Sequence, residues 1–140
     1  MNSEKEHFSI EHLDHVAIRV KDLEISANWY KRVLGLKKYV LPEWGPYPVF
    51  MLAGTSGVAL FPLKKNETLP EGRSNKTCVD HFAFNVTNSN FEKAQQLFSQ
   101  IGLDFSIQDH HYFHSVYLED PDGHTVELTT LVVDKDSFYK

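Results

Sequence analysis

A single cysteine, Cys78, is all the thiol chemistry the 140 residues carry. No internal disulfide can form, and a cysteine-rich zinc site is excluded. No stretch approaches the roughly eighteen consecutive apolar residues of a membrane-crossing helix, so no membrane partner is expected. Positive charge is also short: fourteen Lys and Arg face nineteen Asp and Glu, a formal net charge of −5. That balance argues against nucleic acid and anionic membranes as partners, because both select a basic face. The opening MNSEKEHFSI lacks the apolar stretch of a secretory signal, which makes a cytoplasmic location the expectation. What the chain does have is 41% hydrophobic residues, enough for a core at the length of one domain, 1–140. Two excesses stand out, eight histidines and eighteen aromatic residues (ten Phe, six Tyr, two Trp). Their positions decide what they are for.

The chain repeats itself. Residues 13–20 read LDHVAIRV and residues 79–86 read VDHFAFNV, sharing Asp-His, an Ala two places on and a closing Val. Each segment leads into a helical pattern. DLEISANWYKRVLGL has Asp22 as N-cap, apolar residues at 25, 29, 30, 33 and 34, and Gly35 as stop. NSNFEKAQQLFSQIGL has a cap among Asn88 to Asn90, apolar residues at 91, 94, 97, 98 and 101, and Gly102 as stop. Three strand-like runs follow each helix, at about 37–42, 47–53 and 57–63, then at about 103–109, 112–119 and 124–132. The polar, Pro- and Gly-bearing stretch 64–77 reads as a linker between module 1 (about 11–63) and module 2 (about 78–132). Each module is β-α-β-β-β. Neither would bury enough surface alone, so the two must complete each other.

Strand parity assigns faces. Val16, Ile18 and Val20 must pack on the helix, leaving His15, Ala17 and Arg19 on the other face. In the copy, Phe82, Phe84 and Val86 oppose His81, Ala83 and Asn85. In the last run Val126 and Leu128 oppose Thr125, Glu127 and Thr129. A mid-strand carboxylate on that face is costly unless it is paired or binds a cation. His15, His81 and Glu127 are thus a candidate site for Fe2+, Mn2+, Ni2+ or Zn2+, with coordination positions left for water or substrate. Ser115 and Tyr117 share the cup face by the same rule. Aligning the turns AGTSG and EDPDG puts Tyr47, Val49, Met51 and Phe61 there too. The resulting wall is apolar and aromatic with a hydroxyl edge that includes Thr129, and Arg19 is available either to substrate or to Glu127. His114 has the opposite parity and His124 lies in a turn, so both read as structural. His110 and His111 sit at a loop edge, where one is a candidate general base.

These motifs resemble the vicinal oxygen chelate superfamily of glyoxalases, bleomycin-resistance proteins, fosfomycin-resistance enzymes and extradiol dioxygenases. The resemblance runs from about Leu13 to Thr130. It rests on LDHVAIRV with WYKRVLGL, on VDHFAFNV, and most specifically on VYLEDPDGHTVEL. It implies an α+β fold in which two βαβββ modules form an open barrel around a divalent cation, with ligands falling on His15, His81 and Glu127. Glyoxalase I enzymes take a further glutamate from module 1, where this chain has GVALFPL and Ala59; that departure counts against a lactoylglutathione lyase. Fosfomycin enzymes carry an arginine after the last metal glutamate, whereas here Asp136 stands near that place beside Lys135. The resemblance therefore implies first a dioxygenase-like reaction on a small substrate chelating through adjacent oxygens, with Tyr117 and Ser115 as catalytic residues. Arg19, Tyr47, Met51, Phe61 and Thr129 would line its pocket. The alternatives are a thiol transferase or lyase of the fosfomycin-resistance type and a non-catalytic drug-binding protein. A homodimer is expected, with the metal site possible either within one chain or shared between two.

Overall fold

The computed structural model describes residues 7–64 and 78–139, so all of the expected linker except Lys64 lies outside the described residues. Module 1 comprises β1 (His15–Val20), α1 (Leu23–Leu34), β2 (Lys37–Tyr39), β3 (Val49–Ala53) and β4 (Ser56–Pro62), with a short 3₁₀ turn at Pro42–Trp44. Module 2 repeats the order as β5 (His81–Asn85), α2 (Asn88–Gln100), β6 (Ser106–Asp109), β7 (Phe113–Glu119) and β8 (Thr125–Leu131). One helical turn, α3 (Lys135–Phe138), follows β8. Each module forms its own four-stranded sheet, in the orders β1-β4-β3-β2 and β5-β8-β7-β6. In both, the first strand runs parallel to the last and the other pairs are antiparallel. The result is a pair of open, curved sheets with helices, the α+β fold the repeat implied.

Local chemistry accounts for the elements. The Asp22 side chain accepts from Ile25 N at 3.0 Å, capping α1, and Gly35 ends it in the left-handed region at φ 67°. Ser26, Ala27, Trp29, Tyr30 and Val33 form its buried face, so the stripe sits slightly off the expected one and leaves Ile25 outside. For α2 the cap is Thr87, whose Oγ1 accepts from Asn90 N at 3.1 Å, one residue before the expected range. Asn88 is otherwise engaged, donating to Thr130 Oγ1 and to the Leu131 carbonyl. Phe91 and Phe98 anchor this helix in the core, each burial worth roughly 1.5–3 kcal/mol. One hydrophobic cluster spans both modules, joining Val20, Tyr30, Met51 and Leu60 to Phe98, Val116 and Val126.

The modules are clasped through the DPDGH turn between β7 and β8. Tyr30, fully buried on α1, donates from Oη to Asp120 Oδ2 at 2.7 Å. Asp120 Oδ1 accepts from the backbone nitrogens of Asp122 and His124, both at 2.9 Å. Asp122 accepts in turn from Lys21 N and Ser26 Oγ, and His124 Nε2 bonds the Arg19 carbonyl. His124 is structural, as its turn position implied.

The two hairpins closing the sheets differ in length. Ala53 pairs with Ser56, leaving only Gly54 and Thr55 as loop, whereas Glu119 pairs with Thr125 across Asp120 to His124. An odd difference in loop length inverts the parity obtained by aligning the turns. Phe50 therefore lies opposite Ala59, as Tyr117 lies opposite Glu127, while Met51 lies opposite Val58. Met51 and Val49 belong to the core beneath α1, and the expectation that they face the cup is corrected.

Two substitutions test this packing. Replacing Tyr30 with Phe strands Asp120 Oδ2 in the interior and is expected to cost about 1–3 kcal/mol in urea unfolding. A Cβ on Gly57 would collide with the Met51 carbonyl and the Leu52 Cα, both backbone atoms that cannot swing aside. Gly57→Ala should accordingly destabilise by at least about 2 kcal/mol in the same assay, and a neutral result would contradict the β3–β4 register.

Candidate metal centre and substrate cup

Glu127 sits mid-strand in β8 and is only 8% exposed. Its two oxygens are engaged separately. Ser115 Oγ donates to Oε2 at 2.7 Å, and His81 Nε2 lies 3.0 Å from Oε1. Parallel pairing of β5 with β8 sets Ala83 opposite Glu127, and the small methyl leaves the carboxylate room beside His81. Antiparallel pairing of β7 with β8 sets Tyr117 opposite Glu127 and Ser115 opposite Thr129, whose hydroxyls share a 3.1 Å bond.

The Tyr117 ring meets the His81 ring edge-on at 5.8 Å, and Tyr117 Oη is bonded to His110 Nε2 at 2.9 Å. Desolvation first, then the Glu127 charge, pushes the Tyr117 hydroxyl above its ordinary pKa, so it holds its proton at neutral pH. The His81 imidazole is also raised, chiefly by its hydrogen bond to Asp80; partial burial opposes this and Glu127 adds to it. His81 Nδ1 lies 2.7 Å from Asp80 Oδ2, and His15 Nδ1 lies 2.8 Å from Asp14 Oδ2. The repeated Asp-His pair thus has a physical meaning. Each carboxylate claims Nδ1 and so turns Nε2 outward to a second partner, which for His81 is Glu127.

The expected site residues divide between two half-cups. His81, Glu127, Ser115, Tyr117 and Thr129 come together in module 2. His15 is in module 1, its ring 5.0 Å from that of Phe50, which itself packs on Trp44. Arg19 does not pair with Glu127; its guanidinium donates to the Pro62 carbonyl at 3.0 Å and lies 5.2 Å from the centre of the Phe61 ring. Phe61 also meets Tyr47, at 6.1 Å. Met51 is remote from this surface, within the core. Among the described residues, no three His, Cys, Asp or Glu side chains converge as a metal-binding group. His81 and Glu127 form two thirds of the expected set.

A cavity of about 270 Å3 opens beside Glu127, with Ser115, Thr129 and His110 on its polar side. Phe113, Phe138 and Tyr139 form the opposite wall. Sequence reasoning did not find these three, nor Phe50 and Trp44. Phe113 was accessible to it, since Phe113 shares the parity of Ser115 and Tyr117. Phe138 and Tyr139 follow the repeat, where no periodicity constrains them.

With that geometry in view, comparison with known proteins is informative. The sequence model of the Glyoxalase/Bleomycin resistance protein/Dioxygenase superfamily matches residues 12–128. The chain is 30% identical over 119 residues to the glutathione transferase FosA of Serratia marcescens, covering 85% of this chain and 80% of that one. It is also 30% identical over 135 residues to the metallothiol transferase FosB of Staphylococcus saprophyticus, covering 94% and 85%. In fold it resembles a glyoxalase/dioxygenase from Nostoc punctiforme at a TM-score of 0.73 and 20% identity, over 95% of this chain and 99% of that one. No described helix is long and apolar enough to cross a membrane. Two βαβββ modules, the repeated Asp-His strand and a family match over most of the length lead to one conclusion: the chain belongs to the glyoxalase/bleomycin resistance protein/dioxygenase superfamily.

Proposed function

We propose that this chain is a mononuclear divalent-metal thiol transferase acting on a small electrophile, and that it works as a homodimer. The observation that carries the reading is the pairing of His81 Nε2 with Glu127 Oε1 at 3.0 Å, a contact that a divalent ion would replace, while Asp80 and Ser115 hold the other donor atoms. That donor set suits Fe2+, Mn2+, Ni2+ or Zn2+. His15 is prepared in the same way by Asp14, and it is the third ligand, supplied by the partner protomer. Support comes from the strand order, since β1 and β5 are both edge strands with His15, Ala17, His81 and Ala83 exposed. The likeness to FosA and FosB favours thiol transfer over the dioxygenase reading. A free, exposed Cys78 accords with a reducing, cytoplasmic setting.

The reaction is addition of a thiol across a strained carbon–oxygen bond. A C–S bond forms, the C–O bond breaks with its electron pair remaining on oxygen, and that oxygen gains a proton to match the one the thiol loses. A bound divalent ion would supply Lewis acidity toward the substrate oxygen. The chain's own residues do the rest. Ser115 fixes the Glu127 carboxylate, Tyr117 presents a protonated hydroxyl toward the developing oxyanion, and His110 orients that hydroxyl. Thr129 holds Ser115 in place.

Metal stoichiometry tests the site. Dialysed protein loaded with Mn2+ should carry one ion per protomer, and His15→Ala, His81→Ala or Glu127→Gln should each lower affinity at least about tenfold. Sharing between protomers gives a sharper outcome. Random re-pairing of His15→Ala and His81→Ala chains makes one intact site in each mixed dimer, restoring about a quarter of the wild-type metal content. A site built within one chain restores none.

Reaction class is read by comparing thiol consumption with oxygen uptake. The Mn2+- and Fe2+-loaded proteins should consume glutathione or a small dithiol with epoxides and show no oxygen uptake with catechols. Oxygen uptake would return the dioxygenase reading, and a protein that binds no metal under any loading would be a binding module.

A further inference from the structure

The C-terminal segment beyond the repeat supplies two of the seven residues, Phe138 and Tyr139, that line the cavity beside Glu127. After β8 the chain turns at Asp134 into α3, held by Ser137 N bonding to the Asp134 carbonyl at 2.8 Å and Tyr139 N to the Lys135 carbonyl at 2.9 Å. This turn lays Phe138 edge-on against Phe113, with ring centres 4.7 Å apart, and tilted against Tyr112 at 5.5 Å. Tyr139 packs edge-on with Phe138 at 5.0 Å and with Phe113 at 6.2 Å. The aromatic wall therefore depends on two residues that lie past the end of the family match at residue 128.

The chemistry of the lining states what fits. Among the described residues no Lys or Arg lines the cavity, and Glu127 is the one carboxylate on it. Arg19, a candidate cation from the sequence, is committed to the Pro62 carbonyl and the Phe61 ring. Away from the proposed metal position, an anionic substituent lying against these rings would find no cationic side chain among the described lining residues, which is unfavourable. Three rings facing a strip of hydroxyls instead suit a flat apolar group joined to a polar end.

We propose that Phe138 and Tyr139 are specificity-determining residues that form, with Phe113, a subsite for the aromatic or other flat apolar substituent of an uncharged electrophile. The subsite orients that substituent so that the reactive oxygen end points to Glu127, Ser115 and Tyr117. The catalytic part of this statement rests on the thiol-transfer reading; the binding part does not.

The purified dimer is titrated with naphthol, followed by fluorescence anisotropy, and separately with methylphosphonate. Wild type should bind naphthol and leave methylphosphonate unbound. Phe138→Ala/Tyr139→Ala should weaken naphthol about tenfold, and Tyr139→Phe should hold within about threefold because the ring is kept. Tyr139 is half exposed, so Tyr139→Ala alone provides a variant whose fold is not at risk; it should weaken naphthol about threefold. In thiol addition the double variant should raise KM for styrene oxide with kcat little changed, and fosfomycin should be the poorer substrate for every form. Naphthol binding that is absent in wild type or unchanged in both alanine variants overturns the subsite, as does a preference for methylphosphonate. Naphthol binding with the expected losses but no thiol addition to any epoxide leaves the subsite standing and removes the transferase reading.

Discussion

The hydrogen bond from Tyr30 to Asp120 is the constraint on which the arrangement of this chain depends. It crosses from the first helix of one module to the last hairpin of the other, and both ends are buried. Burial foremost, then the neighbouring Asp120 charge, drives the Tyr30 phenol far above its ordinary pKa, so it remains a donor at any physiological pH. Asp120 spends its second oxygen on the backbone of its own turn. One carboxylate thus shapes the loop that sets the β7–β8 register and ties that loop to α1. The register, in turn, puts Glu127 opposite Tyr117 and beyond Ser115.

Glu127 is the expensive residue in that arrangement. A carboxylate this buried needs partners, and it has them in Ser115 and His81. Those contacts do not exhaust the acceptor capacity of two carboxylate oxygens. His81 and His15 have their Nδ1 atoms claimed by the aspartates that precede them in the chain, and His81 turns its Nε2 to Glu127. Local sequence therefore orients each histidine separately, at spacing one. Assembly of the three is a different matter, because it needs a face from each module.

What was legible in the sequence follows that division. The Asp-His strands, the Asp22 cap and the stop at Gly35 are local signals, and strand alternation carried His15, His81, Glu127, Ser115 and Tyr117 to the cup face. Parity failed at Val49 and Met51, because it was carried backward through turns assumed equal when one loop has two residues and the other five. Thr87 was passed over as a cap for the nearby asparagines, although a threonine hydroxyl reaches the third helical N–H equally well. The C-terminal turn was invisible to any repeat-based reasoning, since its aromatic contacts are made by rings without a periodic partner. The separation of His15 from His81 is a tertiary distance, and no spacing along the chain encodes it.

The asymmetry between the modules explains why one ion per protomer suffices in the proposed enzyme. Had both halves kept the same last strand, each cup would present two histidines and two carboxylates, the closed ligand set of a lyase. Instead β4 and β3 place Ala59 and Phe50 where β8 and β7 place Glu127 and Tyr117. Module 1 can then offer only a histidine and an apolar wall, and module 2 offers a histidine, a carboxylate and the hydroxyl donors. Like halves facing each other would give either a site with no carboxylate or one crowded with two like charges. Only a module 1 facing a module 2 balances one dication against one carboxylate while leaving open coordination positions. In the proposed enzyme, Ala59 at that position makes the unlike pairing of modules the one that would bind metal and still admit substrate.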